Sequence, residues 1–133
     1  MLEFGRKVLA SQPFSVLLGT EVTRFEDGIA ELRLTLGKVH LNQLGFAHGG
    51  VVAYLADNAL TYAGGSKLGD AVTLEMKINY VRPATGDMLI ARATVLSSGK
   101  SQAVCRCDVF AVRDGEEKLC AAAQGTITAP ARP

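Results

Sequence analysis

The sequence has no charge excess. Its 14 Lys and Arg stand against 13 Asp and Glu, a net charge of +1 with the signs interspersed. That excludes the electrostatic footprint of a nucleic-acid binder or of a protein held on an anionic membrane. Long apolar runs are also missing. The longest stretch free of Asp, Glu, Lys and Arg, Val39 to Ala56, carries Asn42, Gln43, two histidines and three glycines, so no transmembrane helix is expected. The N-terminus, with Glu3 early and no extended apolar core, lacks the pattern of a signal peptide. Cysteines number three, an odd count, with Cys105 and Cys107 two apart on one strand-like run, a poor arrangement for a disulfide. A reduced, cytoplasmic compartment is the expectation. No cluster of His, Cys and Asp has metal-ligand spacing. No G-x-S-x-G elbow or phosphate-binding glycine loop is present. Repeats, low-complexity tracts and linkers are absent as well.

What is there fits one domain over residues 1–133, with 48% hydrophobic and 20% charged residues. Leu2 to Leu18 reads as helical in part, interrupted by Pro13 and ended by Gly19. Thr20 to Phe25 and Ile29 to Leu36 read as a hairpin about Glu26-Asp27-Gly28. The one long helix is expected from Gly49 to the tandem Gly64-Gly65, with Val51, Val52, Leu55, Ala56, Ala59, Leu60 and Ala63 at helical spacing. Four strands follow: Thr73 to Val81, Met88 to Leu96, Gln102 to Val112 and Lys118 to Thr128, with a frayed tail over Ala129 to Pro133. In the first of these, Leu74, Met76, Ile78 and Tyr80 alternate with Glu75, Lys77 and Asn79. One long helix can cover only one face of such a sheet, so the pattern predicts an α+β domain whose remaining face or edge needs a partner.

Chemistry concentrates in Asn42-Gln43-Leu44-Gly45-Phe46-Ala47-His48-Gly49-Gly50 and in Asp57. Glycines at a helix start let another group approach free backbone N–H groups, where the helix dipole favours an anion or a developing oxyanion. A tight entry to the helix would explain the same glycines. Asp57 lies more than about 90° round the helix from the centre of the apolar stripe, off the face packed on the helix's own sheet. Its helix neighbours Tyr54, Asn58 and Thr61 include no cation, which suits a cleft better than a solvated face. Gly49 and Asp57 are eight residues apart, roughly 12 Å along a helix, so one carbonyl cannot touch both in one chain.

Asn42, His48-Gly49-Gly50 and Asp57, at this spacing, resemble the hotdog-fold thioesterases of the phenylacetate-pathway (PaaI) type. The run Ala71 to Pro83 and the order of elements resemble that family too, and the likeness covers about Pro13 to Thr128. It implies a hotdog fold, a six-stranded antiparallel sheet wrapped around one long central helix. It implies hydrolysis of an acyl-coenzyme A thioester, with no cofactor beyond the coenzyme A of the substrate. It also implies a homo-oligomer, a dimer at least and commonly a tetramer, with sites shared across the dimer. On the family pattern Asp57 is the general base or nucleophile, and the N–H of Gly49 or Gly50 the oxyanion donor. Asn42 binds the thioester carbonyl or the water, or else caps its own turn. His48 holds the glycine turn by bonding loop backbone, or else acts as a base; His40 reads as an ordinary loop residue.

Thr73 aligns with a Ser or Thr that assists the attacking water, although strict alternation turns it the way of Glu75 and Lys77 unless the strand bulges. Arg82, Pro83 and Lys100 match positions that contact the nucleotide part of coenzyme A; solvated turn charges are the alternative for the two cations. The cysteines read as core fillers. Two rival functions share the fold, a hydratase or dehydratase and a non-catalytic acyl-CoA-binding protein. The scarcity of aromatics, 6% with no Trp, does not choose the acyl group.

Overall fold

The computed structural model describes residues 1–130; residues 131–133, part of the tail expected to fray, lie outside the described residues. Two short helices open the chain, α1 (Leu2–Ala10) and α2 (Pro13–Leu18). Pro13 starts the second, where its missing N–H costs nothing, and Gly19 ends it in the left-handed conformation. The hairpin β1 (Thr20–Glu26) and β2 (Ile29–Thr35) follows, then a 3-10 turn (Lys38–His40) and the long helix α3 (Gly49–Leu68). The remaining strands are β3 (Val72–Tyr80), β4 (Met88–Ser98), β5 (Gln102–Arg113) and β6 (Glu116–Thr128). They form one six-stranded sheet of order β1-β2-β4-β5-β6-β3, with every neighbouring pair antiparallel. This is the α+β hotdog arrangement expected. Among the described residues no helix is long and apolar enough to cross a membrane.

Leu55, Ala56, Ala59, Leu60 and Ala63 of α3 are wholly buried, and the sheet curls around them. Its concave face is lined by small residues, Ala91 and Ala93 on β4, Ala121 and Ala123 on β6, which let strands approach a helix closely. Cys105, Cys107 and Cys120 are buried and free, packed as core.

Three local features differ from the sequence-based expectation. The helix does not stop at Gly64-Gly65 but runs on to Leu68. A Cβ on Gly64 would lie 2.7 Å from the Ile127 side chain, so this glycine marks a close helix–strand contact inside the helix rather than its end. The tail is tied down as far as Ala129, whose N–H donates to Ser101 O at 2.9 Å.

The third is β3. Its pairing with β6 slips between Thr73 and Glu75, a bulge at Leu74 that breaks the strict alternation. Thr73, Met76 and Ile78 are the half-buried positions, while Leu74 is 58% exposed. Gly125 faces the bulge: a Cβ there would sit 2.5 Å from the backbone oxygen of Glu75, so only glycine admits the displaced strand. β3 is also a sheet edge, and Val72, Leu74, Tyr80 and Val81 leave apolar surface along it.

Candidate active site

The loop before α3 is held by backbone pairing and by one histidine. His40, expected as an ordinary loop residue, is 6% exposed and structural. Its Nδ1 accepts from Gly37 N–H at 2.8 Å, and its Nε2 lies 2.8 Å from Leu18 O. Its own carbonyl accepts from His48 N–H at 2.8 Å. Ala47 N–H donates to Ala84 O at 2.9 Å, which fastens the loop to the segment after β3.

His48 is the N-cap of α3. Its Nδ1 accepts from Gly50 N–H at 2.8 Å, satisfying one of the free donors at the helix start. That bond occupies the Gly50 donor. Gly49, one residue earlier, has no acceptor for its N–H among the described residues. Gly49 O accepts from the Tyr80 hydroxyl at 2.9 Å, which ties the end of β3 to the start of α3. Asn42 Oδ1 accepts from Leu44 N–H at 2.9 Å and from Phe46 N–H at 3.1 Å. The turn-capping alternative is therefore real, and it fixes the amide so that Nδ2 is the group left to donate.

Asn42, Gly49, Arg82 and Pro83 line one cavity of about 520 Å³, with Phe46 and Tyr80 as apolar walls. Lys100 is not on it. The β4–β5 turn that carries Lys100 lies beside Thr128, which pairs with Val72 at the start of β3, whereas Arg82 follows the end of β3. Within one chain the two cations sit at opposite ends of that strand.

Asp57 lies on a second cavity, of about 420 Å³, with Phe14, Tyr54, Asn58 and Thr61. No ion pair reaches it among the described residues. It is not remote from its own sheet, as the helical wheel suggested, because the bulge turns Thr73 inward. The Thr73 hydroxyl donates to Asp57 Oδ1. Thr61 Oγ1 lies 3.0 Å from Thr73 Oγ1 and 2.8 Å from the Asp57 carbonyl oxygen. A carboxylate with one oxygen held by a hydroxyl and no cation beside it is suited to taking a proton from water.

Behind this cavity Tyr54 and Asn58, legible in the sequence beside Asp57, join Gln12 and Ser15, which no motif marks. Ser15 is 1% exposed, and its hydroxyl donates to Gln12 Oε1 at 2.6 Å. The Tyr54 hydroxyl lies 2.6 Å from Ser15 Oγ and 2.7 Å from Thr20 Oγ1. Asn58 Nδ2 reaches Gln12 Oε1 and Ser15 Oγ, each at 3.2 Å. Gln12 and Ser15 stand far from Tyr54 and Asn58 in the chain, and no spacing ties the two pairs together. Among the described residues no three His, Cys, Asp or Glu side chains converge as metal ligands.

Comparison with known proteins shows the family. The thioesterase superfamily model matches residues 44–118. The acyl-coenzyme A thioesterase PaaI of Escherichia coli is 35% identical over 88 residues, which span 65% of this chain and 63% of that protein. A thioesterase family protein from Silicibacter pomeroyi superposes with a TM-score of 0.87 at 31% identity, over 92% of this chain and 93% of that one. A variant of the phenylacetic acid degradation protein PaaI from Thermus thermophilus superposes with a TM-score of 0.78 at 33% identity, over 88% of this chain and 98% of that one. The chain belongs to the thioesterase superfamily, as a PaaI-like hotdog thioester hydrolase.

Proposed function

We propose that the chain hydrolyses an acyl-coenzyme A thioester in a site shared between two copies. The observation that carries this reading is the separation of the two half-sites. Gly49 with Asn42, Arg82 and Pro83 lines one cavity, and Asp57 with Tyr54 and Asn58 lines another. The roughly 12 Å of helix between Gly49 and Asp57 keeps one chain from completing the site. Two copies joined along their exposed β3 edges, strands antiparallel, bring the Asp57 end of one to the Gly49 end of the other. The same pairing brings the Lys100 turn of one copy toward Arg82 of the other, where both cations face the phosphates of coenzyme A.

The Asp57 carboxylate takes a proton from water as its oxygen attacks the thioester carbonyl carbon. Thr73 holds the carboxylate and the water in line. The Gly49 N–H, free where Gly50 is not, stabilises the oxyanion with Asn42 Nδ2. The C–S bond then breaks, and the coenzyme A thiolate recovers the proton from Asp57. A hydratase or dehydratase needs a histidine that takes a proton at carbon; with Nδ1 accepting from Gly50 N–H, the His48 ring carries its proton on Nε2 and has no lone pair left for that step.

The test is coenzyme A release from a panel of acyl-CoA substrates, wild type against Asp57→Asn. Turnover should fall by about 10²-fold or more with the fold and assembly kept. Near wild-type turnover in Asp57→Asn would overturn Asp57 as the base. Tight binding without release by the wild type would favour a non-catalytic acyl-CoA-binding protein.

A further inference from the structure

The Asp57 cavity has a neighbour. A third hollow, of about 320 Å³, lies between α1 and the end of α3, with Phe4, Val8, Phe25 and Tyr62 as its apolar walls. It shares Gln12, Asn58 and Thr61 with the Asp57 cavity. The partition between them is therefore made of side chains, and its central contact is the hydrogen bond from Asn58 Nδ2 to Gln12 Oε1 at 3.2 Å.

The partition is braced from behind. Gln12 Oε1 also accepts from the buried Ser15 hydroxyl at 2.6 Å, and Asn58 Nδ2 also reaches the Tyr54 hydroxyl at 3.2 Å. Two walls of the hollow are held by contacts of their own. Phe25 and Tyr62 pack edge to face at 5.2 Å, and the Tyr62 hydroxyl donates to Gly5 O at 2.8 Å, so its polar end is satisfied away from the hollow. A mostly apolar space of this size, with the exposed Asp70 on its rim and with Thr61 and two amides between it and the reacting carboxylate, is shaped for the far end of an apolar chain that the partition keeps out.

Resting on the acyl-CoA reading above, we infer that the Gln12–Asn58 contact is the chain-length stop of the acyl pocket. With the contact made, the acyl group ends beside Tyr54 and Phe14 and must be short or compact. With it removed, a longer aliphatic chain passes Asp57 and enters the hollow between Val8 and Tyr62. Specificity lies in two amides that never touch the thioester.

The test measures affinity for nonhydrolysable S-butyl- and S-decyl-coenzyme A thioethers by titration calorimetry, in wild type, Gln12→Ala and Asn58→Ala. Hydrolysis of the matching acyl-CoA esters is followed in parallel. The decyl-to-butyl affinity ratio should rise by about tenfold or more in either variant, the scale set by methylenes gaining an apolar pocket. Adding Val8→Phe, which fills the hollow, should cancel the gain. An unchanged ratio in both variants would overturn the stop, and so would a gain that survives Val8→Phe. Because the ratio is a binding ratio, a protein that binds the thioethers but hydrolyses no ester would overturn the thioesterase reading and leave this result standing.

Discussion

The Thr73 hydroxyl donates to Asp57 Oδ1 across the gap between β3 and α3. This bond exists because β3 bulges at Leu74, and the bulge is tolerated because Gly125 faces it without a side chain. A sheet irregularity on the edge strand thus reaches the carboxylate on the helix. Removing the hydroxyl by Thr73→Val keeps the β-branched shape and leaves Asp57 unheld. We expect kcat to fall by about 10- to 100-fold, the weight of one hydrogen bond to a charged group, with KM changed by less than about threefold. Steady-state kinetics on the best acyl-CoA substrate decide it; unchanged kcat would make Thr73 a packing residue only.

Complementation between dead variants tests the shared site. Asp57→Asn and Gly49→Val are unfolded together and refolded. A Cβ on Gly49 would lie 3.7 Å from the Tyr80 ring, an ordinary contact, so the added side chain crowds the cavity more than the fold. Random pairing makes about half the dimers mixed, and each mixed dimer holds one intact site of two. Activity should return to about a quarter of wild type. No recovery, with mixed dimers verified by native mass spectrometry, would place both groups in one chain's site or remove one of them from the reaction.

Gly64→Ala offers a stability test with opposing terms. Alanine is the better helix former by about 1 kcal/mol. Its Cβ, however, would meet Ile127 at 2.7 Å in a wholly buried contact. Overpacking of this kind costs about 1–3 kcal/mol, so the urea midpoint should drop. A raised midpoint would show that β6 yields at Ile127 without cost.

The three cysteines bear on any assay that detects released thiol. Burial pushes Cys105 and Cys120 up from 9.0 to about 11, and Cys107 higher still. The native protein should therefore give no reaction with a disulfide reagent at pH 8, and three equivalents once denatured. The same shift has a sign for stability. A thiol kept protonated in the fold but free to ionise when unfolded contributes fully below pH 9 and loses that contribution as pH rises toward about 11. Unfolding midpoints taken between those values should fall steadily. A flat profile, or reagent uptake by the native state, would show that the thiols are reached by water.

The order of elements, the long helix and the strands are legible along the chain, because period-3.6 and period-2 patterns depend only on local geometry. Asn42, His48, Gly49, Gly50 and Asp57 are legible as one constellation too, since their spacing along the chain carries the motif. Which donors remain open there depends on contacts between distant parts of the chain. His48 takes the Gly50 N–H, and the Asn42 carbonyl oxygen is spent on its own loop, by bonds that depend on where the loop settles. Tertiary contact likewise decided that Gly64 lies inside the helix, that His40 braces the loop from within, and that Thr73 faces Asp57. A single slipped residue at Leu74 reverses the facing of everything before it on the strand, and the partner that permits the slip, Gly125, stands 51 residues away on β6. Alternation along β3 could not contain that information, because it resides in the pairing of two strands.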